Sequence, residues 1–311
     1  MLLPFALWGT AMAAMKPLLQ EISPLTLAWL RILPAAVVLL LVARLLQRPW
    51  QVDRRDWPWL LLFALVDGAL FHGLLAEGLE RTGAGLGSVL IDSQPLMVAL
   101  LARSLFAEAI NPVGWFGLVL GLAGIVCLGV PPDLLRHWWL FGDAVPLSGL
   151  WEGGTAWMLA AAVAMALGTV FSRYACSASH PVTVTGWHML LGGLPLLLWH
   201  GLDPAYALVP PWGPSQWVLM AYASLLGSAL AYGLFFWFAN RQELTAFSTL
   251  GFLTPVFALA SGGLWLQERL EPLQWVGVVL VLLSVVLVSQ RRRWWEPDPV
   301  VVLDAAEGSG G

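Results

Sequence analysis

The chain has 311 residues, of which 59% are hydrophobic and 11% charged, with a formal net charge of −4. Soluble domains carry roughly 25% charged residues, so fifteen basic and nineteen acidic groups cannot cover a soluble globule of 33.8 kDa. A soluble enzyme is excluded, a nucleic-acid binder is excluded by the sign of the charge, and the mean hydropathy of +0.77 describes an integral membrane protein.

A membrane helix needs ~20 apolar residues, and the polar breaks divide the chain into ten such stretches. The first runs from about Leu2 to Leu19, the second from Pro24 to Leu46 and the third from Trp57 to Leu79. The fourth, Ala84 to Phe106, contains Pro95, and the fifth is Pro112 to Val130. Residues 131–153 form the longest loop. The remaining spans are Gly154 to Tyr174, Val182 to Leu202, Trp217 to Phe238, Ala246 to Leu266 around Pro255, and Pro272 to Ser289. Arg291, Arg292 and Arg293 stop the last span, and an acidic Gly/Pro-containing tail follows to Gly311. The first span has no basic segment ahead of its apolar run, so it reads as a retained helix rather than a cleaved signal.

Orientation follows from the basic residues. With both termini cytoplasmic, the inner loops and tail hold Arg44, Arg48, Arg54, Arg55, Arg103, Arg173, Arg241 and the three tail arginines. The outer side holds Lys16, Arg81, Arg136 and Arg269. Tryptophans near span ends, such as Trp50, Trp57, Trp59, Trp217 and Trp294, read as interfacial anchors.

The two halves repeat. At an offset of 160 residues, Trp57 meets Trp217, Gly73 meets Gly233, Arg81 meets Arg241, Pro95 meets Pro255 and Glu108 meets Glu268. At an offset of 157, Lys16 meets Arg173, Pro24 meets Pro181, Thr26 meets Thr183 and Arg31 meets His188. Each half holds an odd number of spans, so the second enters the membrane inverted, as in many secondary transporters. The expected fold is all-α: ten transmembrane helices in two inverted five-helix repeats, residues 1–130 and 154–290, with an outer loop over 131–153 and a cytoplasmic tail over 291–311.

Trp8-Gly9, Ser23-Pro24 followed by Arg31, Pro95 followed by Glu108, and Pro255 followed by Glu268-Arg269, with Pro272 and Gly277 behind, resemble the EamA family of the drug/metabolite transporter superfamily. The resemblance covers about residues 1–290. It implies ten helices in two repeats around a cavity lined by helices 1, 3, 4, 6, 8 and 9. It also implies export or exchange of small organic metabolites, amino acids among them, across the bacterial inner membrane. The sequence departs from internal symmetry where His188 stands opposite Arg31.

An ionisable group within a span costs at least ~2.5 kcal/mol on insertion scales and is a functional candidate by default. At ~1.5 Å per residue, Asp67 lies at the centre of the third span. Arg31, His72 and Asp92 form one layer in the outer half, and His188 lies at the mirror depth. Arg31 either pairs with Asp67 or Asp92 or faces a substrate. Asp92 stands one turn before Pro95, whose missing N–H frees carbonyls toward a cavity, and Pro255 repeats that break. His72 could relay protons, but an α-helical count sets it 140° from Asp67. The counterparts of Asp67, His72 and Asp92 are Gly227, Tyr232 and Phe252. Tyr232 and Trp8 join the candidate substrate or proton site. Glu77, Glu80 and Arg81 read as a solvated rim, and Glu108 and Glu268 as polar ends capping the next helix. Gly117 and Gly121 form a GxxxG suited to close helix packing, inside the bundle or in a homodimer.

No Walker A, HExxH or GxSxG motif is present, and Cys127 and Cys176 supply neither a disulfide framework nor a zinc site. No cofactor, metal or nucleic acid is expected; the expected partners are lipid and a small-molecule substrate. The reading is a secondary transporter of amino-acid-like metabolites. The competing readings are a multidrug efflux carrier and a non-transporting membrane scaffold.

Overall fold

The computed structural model describes residues 1–81, 90–129, 154–201, 210–258, 260 and 272–291. The start of the fourth expected span, the loop over 131–153, Glu268 and the tail beyond Arg291 lie outside the described residues. The described residues are all helical apart from turns and short connections. We number the helices α1 (Leu3–Met15), α2 (Pro24–Leu45), α3 (Trp57–Arg81), α4 (Gln94–Phe106) and α5 (Pro112–Gly129). They continue as α6 (Thr155–Ala175), α7 (Pro181–Gly201), α8 (Pro214–Ala239), α9 (Leu244–Ala258) and α10 (Pro272–Ser289). Six of them, α2, α3, α6, α7, α8 and α10, are long and apolar enough to cross a membrane; α4, α5 and α9 are apolar but shorter. This is a multi-pass membrane protein.

Local sequence sets the helix ends. Ser23 caps α2, its Oγ accepting from Thr26 N at 3.2 Å, with Pro24 preset for the first turn. Gln47, at φ 54, turns the chain out of α2. Asp56 precedes α3 but does not cap it. Its carboxylate accepts from Ser177 Oγ at 2.6 Å and Ala178 N at 3.0 Å, joining the α2–α3 and α6–α7 connections. Burial pushes the nearby Cys176 thiol up, and the Asp56 charge adds to the effect, which leaves a poorly reactive sulfur.

Two helices widen at matching places. Ala64–Phe71 in α3 and Tyr222–Leu230 in α8 are π-helical, and the 160-residue offset superposes most of the two segments. A π segment misdirects backbone carbonyls and often marks a functional site. In α3, His72 Nδ1–H donates to Asp67 O at 2.8 Å; in α8, Ser228 Oγ donates to Ala223 O at 3.0 Å. In each case a side chain five residues on satisfies the carbonyl.

Packing is reciprocal between the halves. α2 lies along α7 and α5 along α10, while α3 packs on α6 and α7 as α8 packs on α1 and α2. Glycine permits the closest approaches: a Cβ on Gly192 would stand 2.4 Å from Gly68 Cα, and one on Gly277 2.8 Å from Gly124 O. The GxxxG face of α5 is used within the chain, Gly117 against Val288 and Gly121 against Phe252.

Candidate functional site

Where α1, α2, α3, α6, α8 and α9 converge on Asp92 and the start of α4, they line a cavity of about 60 Å³. Four of the residues singled out in the sequence line it: Trp8, Arg31, Asp92 and Tyr232. Most of the wall is apolar, from Met12, Met15, Phe71, Leu75 and Ile91. Few polar groups set in an apolar wall is the pattern of a small-molecule site, but such sites occupy roughly 300–1,000 Å³. About 60 Å³ is room for a few waters, less than a metabolite needs.

Arg31 departs from one expectation. It is 7% exposed, and it pairs with neither Asp67 nor Asp92. Its guanidinium donates to Tyr232 OH at 3.3 Å and to Met15 Sδ at 3.2 Å, while Nε has no partner. The reason is azimuth: Arg31 leaves α2 on the side facing α8, where Ser224 Oγ also donates to Arg31 O at 2.8 Å. Tyr232 also packs on Trp8, with ring centroids 4.8 Å apart, so the two halves meet in one aromatic and cationic cluster.

Asp67 and His188 lie outside the cavity wall. They form a buried pair, His188 Nε2 to Asp67 Oδ2 at 3.0 Å, with both side chains 0% exposed. His72 sits between the two groups of residues. It lines a second cavity of about 10 Å³ with Arg31 and Met15, and its ring is 5.3 Å from that of Tyr232. It meets Asp67 through the backbone carbonyl, not the carboxylate.

Pro95 follows a turn at Asp92-Ser93 that interrupts the helix, where Ser93 Oγ donates to Leu90 O at 2.6 Å. Pro255 follows a tightened 3₁₀ segment, Thr249–Leu253, in α9. Pro95 rests on Gly251, where a Cβ would stand 3.2 Å from the proline Cγ. The two irregular segments therefore face each other beside the cavity. Gln94 and Thr254 also line it, and Gln94 Nε2 donates to Thr169 Oγ1 at 3.4 Å. Uncharged polar residues raise no insertion penalty large enough to single them out in sequence; their place beside the prolines was the available signal.

Glu77, Glu80 and Arg81 form an exposed ion cluster, with Arg81 at 2.6 Å from Glu77 and 3.9 Å from Glu80. Among the described residues no group of three or more His, Cys, Asp or Glu side chains could hold a metal ion.

Apolar helices closing around a small, charge-bearing cavity define a helical membrane protein built to handle a small molecule. The chain belongs to the EamA-like transporter family, whose model matches residues 1–130 and 153–290. It is 48% identical over 299 residues to the "Uncharacterized transporter sll0355" of Synechocystis sp., covering 93% of this chain and 88% of that protein. It is 44% identical over 289 residues to the "WAT1-related protein At3g02690, chloroplastic" of Arabidopsis thaliana, covering 92% of this chain and 67% of the relative. A solved crystal structure shares the fold with a TM-score of 0.71 at 20% identity, covering 94% of this chain and 99% of the other.

Proposed function

We propose that this protein is a secondary carrier that exports or exchanges a small polar, amino-acid-like metabolite by alternating access through the central cavity. Its ten spans form two inverted five-helix repeats, residues 1–130 and 154–290, and both termini lie on the cytoplasmic side of the cell inner membrane. The observation that carries the reading is the cavity itself: Arg31 and Asp92 open onto one space whose wall also takes Gly227, Tyr232 and Thr254 from the second half. A site at the interface of two repeats lets each half rock against the other around it, and the reciprocal packing of α3 and α8 supports such a pair of halves. The broken segments before Pro95 and Pro255 supply free backbone groups at the wall. Asp92 is the group for a substrate cation, Trp8 and Tyr232 its aromatic walls, and His72 with the Asp67–His188 pair the adjoining titratable set.

The test is counterflow into proteoliposomes preloaded in turn with amino acids, polyamines, sugars and nucleosides. Tracer accumulation for one class, abolished by Asp92→Asn, is the expected result. Silence across the panel for folded protein overturns it in favour of a scaffold.

A further inference from the structure

The C-terminal end of α2 is a fixed turn that borders an open groove, away from the central cavity. Leu46 N donates to Val42 O at 2.9 Å, Gln47 N to Arg44 O at 3.0 Å and Arg48 N to Ala43 O at 2.9 Å, so these helix-end carbonyls are taken up within the chain. The segment beyond is tied to α7: Thr183 Oγ1 donates to Pro49 O at 3.0 Å and Trp187 Nε1 to Trp50 O at 3.0 Å. The groove, of about 560 Å³, is lined by Arg44, Gln47, Arg48, Pro49 and Trp50.

Its two arginines have no anion of their own. Among the described residues no carboxylate oxygen lies within 4 Å of either. No Asp or Glu occurs between Glu21 and Asp53, and none occurs in α7. Of the two nearest acids in sequence, Asp53 accepts from Arg55 N at 2.9 Å, and Asp56 is committed to Ser177 and Ala178. The repeated fold does not require the charges either: at the 157-residue offset Arg44 and Arg48 match Gly201 and Ala205.

An apolar track leads straight to them. Val37, Leu41 and Leu45 follow one another at four-residue spacing, on one face of α2, and are 51%, 55% and 81% exposed. In a membrane protein such a stripe faces acyl chains. Trp50 is exposed beside the arginines, its ring 5.8 Å from that of Trp187, and tryptophan at a span end marks the headgroup level. The stripe thus runs from hydrocarbon into the basic groove. Guanidinium groups take a phosphate through paired N–H groups, and basic pockets at this level hold anionic headgroups. A zwitterionic headgroup brings its own ammonium, which two arginines repel.

We propose that this groove is a binding site for an anionic phospholipid, whose headgroup phosphate sits on Arg44 and Arg48 while an acyl chain lies along Val37, Leu41 and Leu45. The inference requires only that the chain spans a membrane, and it holds whether or not the protein carries a solute.

The test uses the full chain purified in detergent. Native mass spectrometry counts retained lipid, and melting temperature is followed against added phosphatidylglycerol, phosphatidylcholine and inorganic phosphate. Phosphatidylglycerol is retained and raises the melting temperature; the other two, at equal concentration, do not. Arg44→Gln/Arg48→Gln weakens the apparent affinity for phosphatidylglycerol about tenfold more than Arg55→Gln/Arg103→Gln, which removes the same charge outside the groove. All four arginines are exposed, so neither change disturbs a packed core. Arg44→Lys/Arg48→Lys keeps the charge without the paired N–H geometry and falls between.

Equal weakening in the two glutamine pairs shows attraction to diffuse surface charge and overturns the site. Phosphatidylcholine bound as tightly as phosphatidylglycerol overturns it too, and so does inorganic phosphate that stabilises as much as the lipid.

Discussion

His188 Nε2 stands 3.0 Å from Asp67 Oδ2, while His188 Nδ1 stands 2.7 Å from Thr185 O. A carbonyl can only accept, so Nδ1 carries a proton and Nε2 faces the carboxyl either as a second donor or as a lone pair. In both cases one proton lies between the two side chains. The pair is net neutral, which is how two titratable groups persist with no exposure at the α3–α7 contact. The His188 ring also stacks on Phe63 at 3.9 Å, so its orientation is fixed from both sides.

The pair predicts an order among substitutions at Asp67. Asp67→Asn keeps a donor for Nε2 and an oxygen toward Gly168, and costs about 1 kcal/mol. Asp67→Ala strands the imidazole in a dry contact and costs about 3–5 kcal/mol. Thermal unfolding in detergent reads both; equal losses for the two variants contradict the shared proton.

Helix contacts made through glycine predict a second order. A Cβ on Gly192 meets the Gly68 backbone at 2.4 and 2.5 Å and Ala64 O at 2.6 Å. None of those atoms can turn aside, so Gly192→Ala must push α3 and α7 apart, at about 1–3 kcal/mol or more. On Gly201 a Cβ meets nothing within 4 Å, and Gly201→Ala is tolerated. A melting temperature unchanged in Gly192→Ala would show that α3 and α7 do not cross there.

Residue counting gives depth along a helix but not azimuth. Counting residues along a helix gives depth, because each adds the same rise; that is why Arg31, His72 and Asp92 could be set in one layer. Which neighbour each side chain meets depends on how the helices are rotated, and the π segments alter that rotation midway along α3 and α8. The Asp67–His188 pair joins two helices from different halves and has no local signature. Arg31, free by depth to meet either acid, turns toward α8 and meets Tyr232. Trp8 is one of many tryptophans, and only packing against Tyr232 separates it from those that flank span ends. Glu108 was legible as a polar helix end, yet the helix it caps is α9, not the next one in the chain.

Acid stability turns on His180, which lies just outside α7. Its ring nitrogen Nδ1 accepts from Val182 N at 3.3 Å, a capping bond that protonation destroys. Burial, and after it the Arg48 and Arg241 charges, hold its pKa below the usual histidine value of 6.5. The folded state thus takes up this proton less readily than the unfolded chain. The contribution is fully present above the unfolded value and is lost as pH falls through the folded one. His180→Asn keeps an acceptor for Val182 without titrating, so its melting temperature declines less as pH falls below about 6.5. Parallel declines in the two proteins would place the acid sensitivity elsewhere.

Glu108 ties the end of α4 to the start of α9, and this contact predicts how one side of the cavity is held shut. Its carboxylate accepts from Leu244 N at 2.8 Å, Thr245 N at 3.0 Å and Thr245 Oγ1 at 2.8 Å. These are orphan donors of a helix N-terminus, where a negative charge is favoured. Arg173 stands 3.8 Å from the same carboxylate and donates from Nε to Ala239 O at 3.1 Å, which adds α6 and α8 to the junction. The neighbouring Arg291–Glu243 pair at 3.1 Å closes it further. On the proposed alternating-access cycle, these four helices would separate here for the cavity to open toward this end. Glu108→Ala removes all three accepted bonds and destabilises the closed arrangement by about 1–3 kcal/mol, whereas Glu108→Asp, one methylene shorter, keeps the charge but not all three contacts and falls between. The readout is labelling of a cysteine placed at Thr169, behind Gln94, by a membrane-impermeant maleimide. Faster labelling from this end in Glu108→Ala, intermediate in Glu108→Asp, is expected; rates equal to those of the unaltered protein would show that the junction does not gate the cavity.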